Sequence, residues 1–378
     1  MKKCVVVSDS FKGTVSSREI CEIAQRVIPR HFPSCEVVCI PVADGGEGTV
    51  DCFIQAMGAQ RVEVTGTNAL GEKSAAAYAR LGELAIIEMA AAAGLPQVGT
   101  LRCPGTATTY GVGELIAHAA HSGCKRILLG LGGSATNDGG CGCAAALGVG
   151  FLDADGQSFV PVGDTLGRIA RIDTAKADEL LRSVEITVMC DVTNPLYGPT
   201  GAAYVFAPQK GADAEKVKSL DAGLRHFGDV IRSQLGIDVS RMPGAGAAGG
   251  MGAGCVALLG GMIQSGIDAV LDVTGFDRQL EGADLVITGE GRIDSQSAGG
   301  KVISGVARRT KAKGIPLIAI AGGIADSAGA VYNIGVSAMF STDRAALPVD
   351  MLGARSPGDY EATLSDIMSL IAIAERFA

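Results

Sequence analysis

The chain contains no tryptophan, and phenylalanine and tyrosine bring its aromatic content only to 4%. Charge is sparse as well, at 19% of residues, and the balance is acidic, with a net charge of −8. Proteins that track nucleic acid need a basic stripe, and those that hold single strands add aromatic platforms for the bases. No Lys/Arg cluster with interleaved aromatics occurs here, so nucleic acid is not an expected partner. The Walker phosphate loop is missing: Gly300-Lys301-Val302 has neither the following hydroxyl residue nor the upstream glycine. The protein-kinase signatures are absent too.

Cysteine is not scarce, but its pattern is uninformative. Eleven are scattered along the chain, and Cys35-x3-Cys39 and Cys141-x-Cys143 are the only close pairs. Neither has a second pair or a histidine partner to complete a zinc site, so free thiols in a reducing cytosol are expected. Met1-Lys2-Lys3 precedes an apolar run of four residues, too short for a signal peptide. Gly244 to Ile263 is uncharged over twenty residues, which is membrane-spanning length. Eight of the twenty are glycine, so the stretch reads as a loop and a tightly packed internal helix, with no membrane anchor.

Glycine is what the chain has in excess: 54 of 378 residues, about double the usual share. That length and an apolar content of 47% allow two domains and a large core. The densest glycine stretch follows the apolar run Ile127-Leu128-Leu129, a buried-strand pattern. Gly130 to Gly140 holds five glycines in eleven residues, interleaved with Ser134, Thr136, Asn137 and Asp138, and small residues able to form a helix follow. Strand, polar glycine loop and helix start together predict an anion site. Gly132, Gly133, Ser134, Thr136 and Asn137 are its candidate phosphate-binding residues. Asp138 suits Mg²⁺, because a carboxylate inside a phosphate loop needs a cation; as a residue type it also suits a helix cap. A dinucleotide reading competes: Gly130-x-Gly132-x-x-Ala135 fits that fingerprint, with Asp153 about twenty residues on as the ribose acid. Asp153-Ala154-Asp155-Gly156 is equally a hairpin turn.

Around this stretch the chain alternates short apolar runs with polar loops. Cys4 to Val7 is a strand ending in Asp9-Ser10-Phe11-Lys12-Gly13, and Ser16-x-x-Glu19 is a capping box opening a helix that Pro29 ends. Val37 to Ile40 is a second strand, running into Asp44-Gly45-Gly46-Glu47-Gly48. Strand, loop and helix in series predict a doubly wound parallel sheet, with ligands beyond the carboxyl strand ends. From Arg61 to Ile87, strands joined by short turns predict antiparallel pairing. The first texture returns at Leu285 to Thr288. The expectation is a two-domain α/β protein. Residues 1–65 and 280–378 form a flavodoxin-like doubly wound parallel sheet. Residues 66–279 form an inserted mixed α/β domain carrying the glycine-rich loop, with the active site in the cleft between them.

Four motifs in this order resemble the type I glycerate kinase family over essentially the whole chain: Asp9 to Gly13, Ala43 to Gly48, Gly132 to Gly140 and Thr288 to Asp294. The resemblance implies phosphorylation of D-glycerate with ATP and Mg²⁺ in the cytoplasm, at the 2-hydroxyl. Serine stands at position 8, where the family usually has proline. Among the loop residues, Gly45 and Gly46 are further nucleotide-binding candidates, and Asp44 and Glu47 candidate metal ligands. Arg292 and Lys12 are candidate cations for the glycerate carboxylate, since arginine offers a bidentate fork. Arg292 and Asp294 could also simply pair with each other. The attacking hydroxyl needs a carboxylate to take its proton. Asp191, at the end of the strand Ile186 to Cys190 and before the stiff turn Val192 to Pro195, is the first choice, and Asp294 the second. Two other readings stay open: a nicotinamide-dependent oxidoreductase of a small hydroxy acid, and a non-catalytic nucleotide-binding module. His31, His118, His121, His226, Cys141 and Cys143 read as structural.

Overall fold

The computed structural model describes residues 1–11, 14–42, 49–299, 302–345 and 353–377. The chain divides into two compact units, Met1–Ala43 with Ile267–Ala378, and Asp44–Gly266.

The first unit is built on five parallel strands. Numbered along the whole chain they are β1 (Lys3–Ser8), β2 (Glu36–Pro41), β11 (Leu285–Ile293), β12 (Leu317–Ile324) and β13 (Ala338–Ser341). Their order is β2-β1-β11-β12-β13, the doubly wound flavodoxin-like order that the strand-loop-helix series predicts. The strands read as continuous apolar runs because both faces are covered. On one face Val5, Val7, Val286 and Ala319 pack with Val302, Ile303 and Val306 of the helix Val302–Ala312. On the other, Cys4, Val6, Ile287 and Ile320 meet Ile20, Ala24 and Val27 of the helix Ser17–His31 and Tyr360, Leu364 and Ile367 of the helix Ser356–Ala374. The capping box at Ser16 and Glu19 is formed, but the helix runs past Ile28 to His31, with Pro29 in its last turn.

The second unit holds a six-stranded sheet, β10-β9-β6-β5-β4-β3. Its strands are β3 (Gln60–Thr67), β4 (Lys73–Leu81), β5 (Leu84–Glu88), β6 (Arg126–Gly130), β9 (Glu185–Met189) and β10 (Met262–Gln264). β3, β4 and β5 pair antiparallel, as their short turns predict, while β5, β6, β9 and β10 run parallel. β7 (Gly150–Leu152) and β8 (Arg171–Asp173) form a separate antiparallel ribbon.

The unit boundaries differ from residues 65/66 and 279/280. All of β3 pairs with β4, which takes Gln60 to Thr67 into the second unit. Ile267, Leu271, Phe276 and Leu280 pack in the core of the first unit, with Val286 and Ile303. Among the described residues no helix is long and apolar enough to cross a membrane. Gly244 to Ile263 contains the helix Ala247–Leu259, interrupted near its start by the left-handed residues Ala248 to Gly250 and buried along most of its length.

Candidate active site

β6 delivers the glycine-rich loop. Beyond Gly130 the chain folds against residues 93–95: Leu95 N–H donates to the Gly133 carbonyl and Ala135 N–H to the Ala93 carbonyl, both at 2.8 Å. The loop then turns inward. Gly132 is half-buried and Gly133 exposed, whereas everything from Ser134 to Gly140 is buried. Ser134 closes a turn on Leu131, with Gly133 at φ +74°, and among the described residues the N–H groups of Gly132 and Gly133 have no hydrogen-bond acceptor. Two consecutive donors at a solvent-facing glycine tip are what an anion needs.

The start of the following helix, Cys141–Ala146, is not that site. Its N–H groups are already taken from within the protein. Asp138 Oδ2 accepts from Gly142 N–H (3.2 Å), and Asp138 Oδ1 accepts from Gly140 N–H (3.1 Å). Thr109 closes the arrangement: its N–H and hydroxyl both donate to Asp138 Oδ2 at 2.8 Å, and its Oγ1 accepts from Cys143 N–H. Asp138 has no exposed surface, and burial pushes its carboxyl above the usual range against the lowering pull of these four donors. The geometry thus gives Asp138 the capping and loop-holding task, with no oxygen facing solvent for the Mg²⁺ expected there. Thr136 and Asn137 also point inward, and Thr136 Oγ1 and both polar atoms of the Asn137 amide are buried with no partner among the described residues. A second glycine segment presses on them from behind. Ala248, Gly249 and Gly250 all have positive φ, and a Cβ at Gly249 would stand 2.1 Å from the Thr136 carbonyl oxygen.

Beneath the tip lies a residue that the loop motifs did not reveal. Lys210, at the end of the 3-10 turn Pro208–Lys210, is 2% exposed. Its Nζ donates to Ser134 Oγ and to the Thr136 carbonyl, both at 2.7 Å. Burial pushes the ammonium down from 10.5 to about 7, with the Asp138 charge pulling the other way. Nothing in Ala207-Pro208-Gln209-Lys210-Gly211 marks this lysine, since its burial is decided by a loop more than seventy residues upstream.

The remaining candidates separate between the units. Asp191 follows β9 in the second unit and is exposed, with Oδ1 accepting from Gly266 N–H at 2.8 Å. Arg292 and Asp294 belong to the first unit. β11 runs on past the end of β1, pairing Arg292 with Gly323 and Ile293 with Ile324 of β12. Arg292 is therefore exposed beyond the carboxyl end of β1, beside the point where the strand order reverses, the usual ligand position in such sheets. Among the described residues Arg292 makes no ion pair, so it is not simply paired with Asp294, which caps the turn Ser295–Ala298 by accepting from Gln296 N–H. Lys12, Asp44, Gly45, Gly46, Glu47 and Lys301 lie outside the described residues. Glu88, at the end of β5, accepts from Val50 N–H (2.6 Å) and so anchors the helix Thr49–Met57, which follows the Asp44-to-Gly48 motif in sequence.

Asp153 is engaged within its own turn. Its carboxylate accepts from Asp155 and Gln157 N–H and pairs with Arg168, and the turn's N–H groups hold it below the usual range. The hairpin reading of Asp153 to Gly156 is the one realised. His31, His118 and His226 make local hydrogen bonds to Ser365, Tyr78 and the Ile169 carbonyl. Burial pushes the thiols of Cys141 and Cys143 well up, away from nucleophilic use.

The sequence profile of the glycerate kinase family matches residues 4–372. A glycerate kinase of Bacillus cereus is 45% identical over 99% of both chains. A protein of Escherichia coli named glycerate 2-kinase is 45% identical over 90% of both. A crystal structure from Salmonella typhimurium, of a protein assigned as glycerate kinase 2, superposes with a TM-score of 0.87 at 39% identity and covers 99% of each chain.

Proposed function

The chain belongs to the glycerate kinase family, and from that premise we propose that it transfers the γ-phosphate of ATP to the 2-hydroxyl of D-glycerate in the cytoplasm, giving 2-phosphoglycerate and ADP. The order of its four motifs favours the type I branch, and the relative named glycerate 2-kinase favours the 2-position. The observation that carries the reading within the molecule is the tip of the glycine-rich loop, where two N–H groups without acceptors, on Gly132 and Gly133, stand above a buried lysine.

In this reading Gly132, Gly133 and Ser134 hold phosphate oxygens, while Thr136 and Asn137 shape the loop from inside. Arg292 takes the glycerate carboxylate in a bidentate grip, with Lys12 as second cation. Asp191 accepts the hydroxyl proton as the new phosphoryl bond forms, with Asp294 the second candidate. The donor set for Mg²⁺ is narrower than the motifs suggested. Among the described residues no group of three or more His, Cys, Asp or Glu side chains could hold a metal ion, and Asp138 is enclosed. Asp44 and Glu47, beside Gly45 and Gly46, are the residues that would hold it. Bound there, Mg²⁺ supplies positive charge to the phosphate oxygens.

The test is incubation with D-glycerate, ATP and Mg²⁺, with ADP followed enzymatically and the product examined by NMR. ADP with phosphorus coupled to the C2 proton is expected. Phosphorus on C3 overturns the regiochemistry, and ADP release that does not depend on glycerate overturns the activity.

A further inference from the structure

Lys210 is an uncommon choice for its position. A buried ammonium carries a desolvation cost that methionine, of similar length, would avoid. No ion pair offsets it: Lys210 takes part in no salt bridge among the described residues, and Asp138, the charge that pulls on it, spends its carboxylate on Thr109, Gly140 and Gly142. What Lys210 directs at the loop is therefore its hydrogen bonds, which the amine can donate as well as the ammonium. Its two hydrogen bonds have consequences for the tip. A serine oxygen that accepts from an ammonium has its own hydrogen free to point elsewhere, so the lysine turns Ser134 into a donor. The grip on the Thr136 carbonyl fixes that peptide plane against Gly249.

We propose that Lys210 is the positioning residue of the phosphate loop, holding Ser134 as a hydroxyl donor beside the N–H groups of Gly132 and Gly133 so that the tip is set for a nucleotide's phosphates. This deepens the reading of the loop as the ATP site and rests on it. The substrate carboxylate is not involved, so the effect belongs to the nucleotide alone.

The experiment measures ATP·Mg²⁺ and D-glycerate binding by calorimetry, together with KM for each, in wild type, Lys210→Met, Ser134→Ala and the double variant. Loss of both hydrogen bonds that hold the loop should weaken ATP about 10- to 100-fold in Lys210→Met, with glycerate within about twofold of wild type. Because the lysine acts through the serine, the double variant should lie within about threefold of Lys210→Met instead of showing the product of the two effects. A folded Lys210→Met with lowered Tm and unchanged ATP affinity overturns the proposal by making the lysine a packing residue only. Independent, multiplying effects overturn the route through Ser134. Where Lys210→Met does not fold, Ser134→Ala alone decides: unchanged ATP affinity overturns the proposal. Wild-type protein that binds no ATP removes the nucleotide reading itself, an outcome distinct from wild-type binding that survives the loss of Lys210.

Discussion

A guanidinium and an ammonium carry the same charge, but only the guanidinium meets a carboxylate with two parallel N–H groups. Arg292→Lys should therefore raise KM for D-glycerate by about tenfold or more while leaving ATP affinity near wild type, because a single point contact replaces the fork. Steady-state kinetics in both substrates check this, and an unchanged KM removes Arg292 from the site. Asp191→Asn keeps an oxygen for Gly266 N–H but loses the basic carboxylate, so kcat should fall about 10²- to 10⁴-fold with nucleotide binding intact. Near-normal turnover transfers the role to Asp294. At this scale the glycine loops stand out in the sequence, because glycine in such numbers has few other uses. The sequence was not legible for Lys210 or Thr109, whose residue types are ordinary and whose importance comes from long-range contacts. For Asp138 the type was informative and the direction was not: a carboxylate in such a loop can face a metal or its own backbone, and four donors turned it inward.

The loops behave as packed elements in their own right. Gly249 adopts φ +71° with the Thr136 oxygen where a methyl group would go. Gly249→Ala should cost about 2–4 kcal/mol from left-handed strain and overpacking together, read as a lowered midpoint in urea, and should weaken ATP binding by displacing Thr136. Thr109→Val keeps the shape of the side chain but removes the hydroxyl that serves both Asp138 and Cys143 N–H. It should cost about 2–3 kcal/mol, because buried groups then lack partners. If its midpoint matched wild type, the capping account of Asp138 would fail. The parallel strands were readable as elements because burial on both faces makes them continuous apolar runs, as in Cys4 to Val7 and Leu285 to Thr288. Of the unit edges, the change to antiparallel strands from Arg61 was readable, but no change of composition marks Ile267 to Leu280. Their side follows from which sheet or core they join.

Over the whole molecule, buried titratable groups set a pH window for stability. Lys210 is held at about 7 in the folded protein against 10.5 ordinarily, so between those values the unfolded chain binds more protons and stability rises with pH. The buried thiols of Cys4, Cys141, Cys143 and Cys255 act oppositely. Burial raises them above their ordinary 9.0, so the stability they lend is complete below that value and is lost as pH climbs past it. Denaturant midpoints should therefore climb above neutrality and fall again above about pH 9. In Lys210→Met the climb should vanish while the alkaline fall remains. A climb that persists in the variant would assign it to another group.

The interruption of one sheet by another unit also sets an order of events during synthesis. β1 and β2 leave the ribosome early, but β11, the strand that covers the other edge of β1, follows only after Asp44–Gly266 has been made. At about 5–20 residues per second that is a delay of roughly 10–45 s. Throughout it the edge of β1 is open to strangers, while the inserted unit, contiguous in sequence and with its own core, is free to close. Nascent chains arrested near residue 266 should thus yield a protease-resistant fragment beginning near residue 44, with β1 and β2 digested. Resistance that arises only after the last helix is released would mean that the two units fold as one.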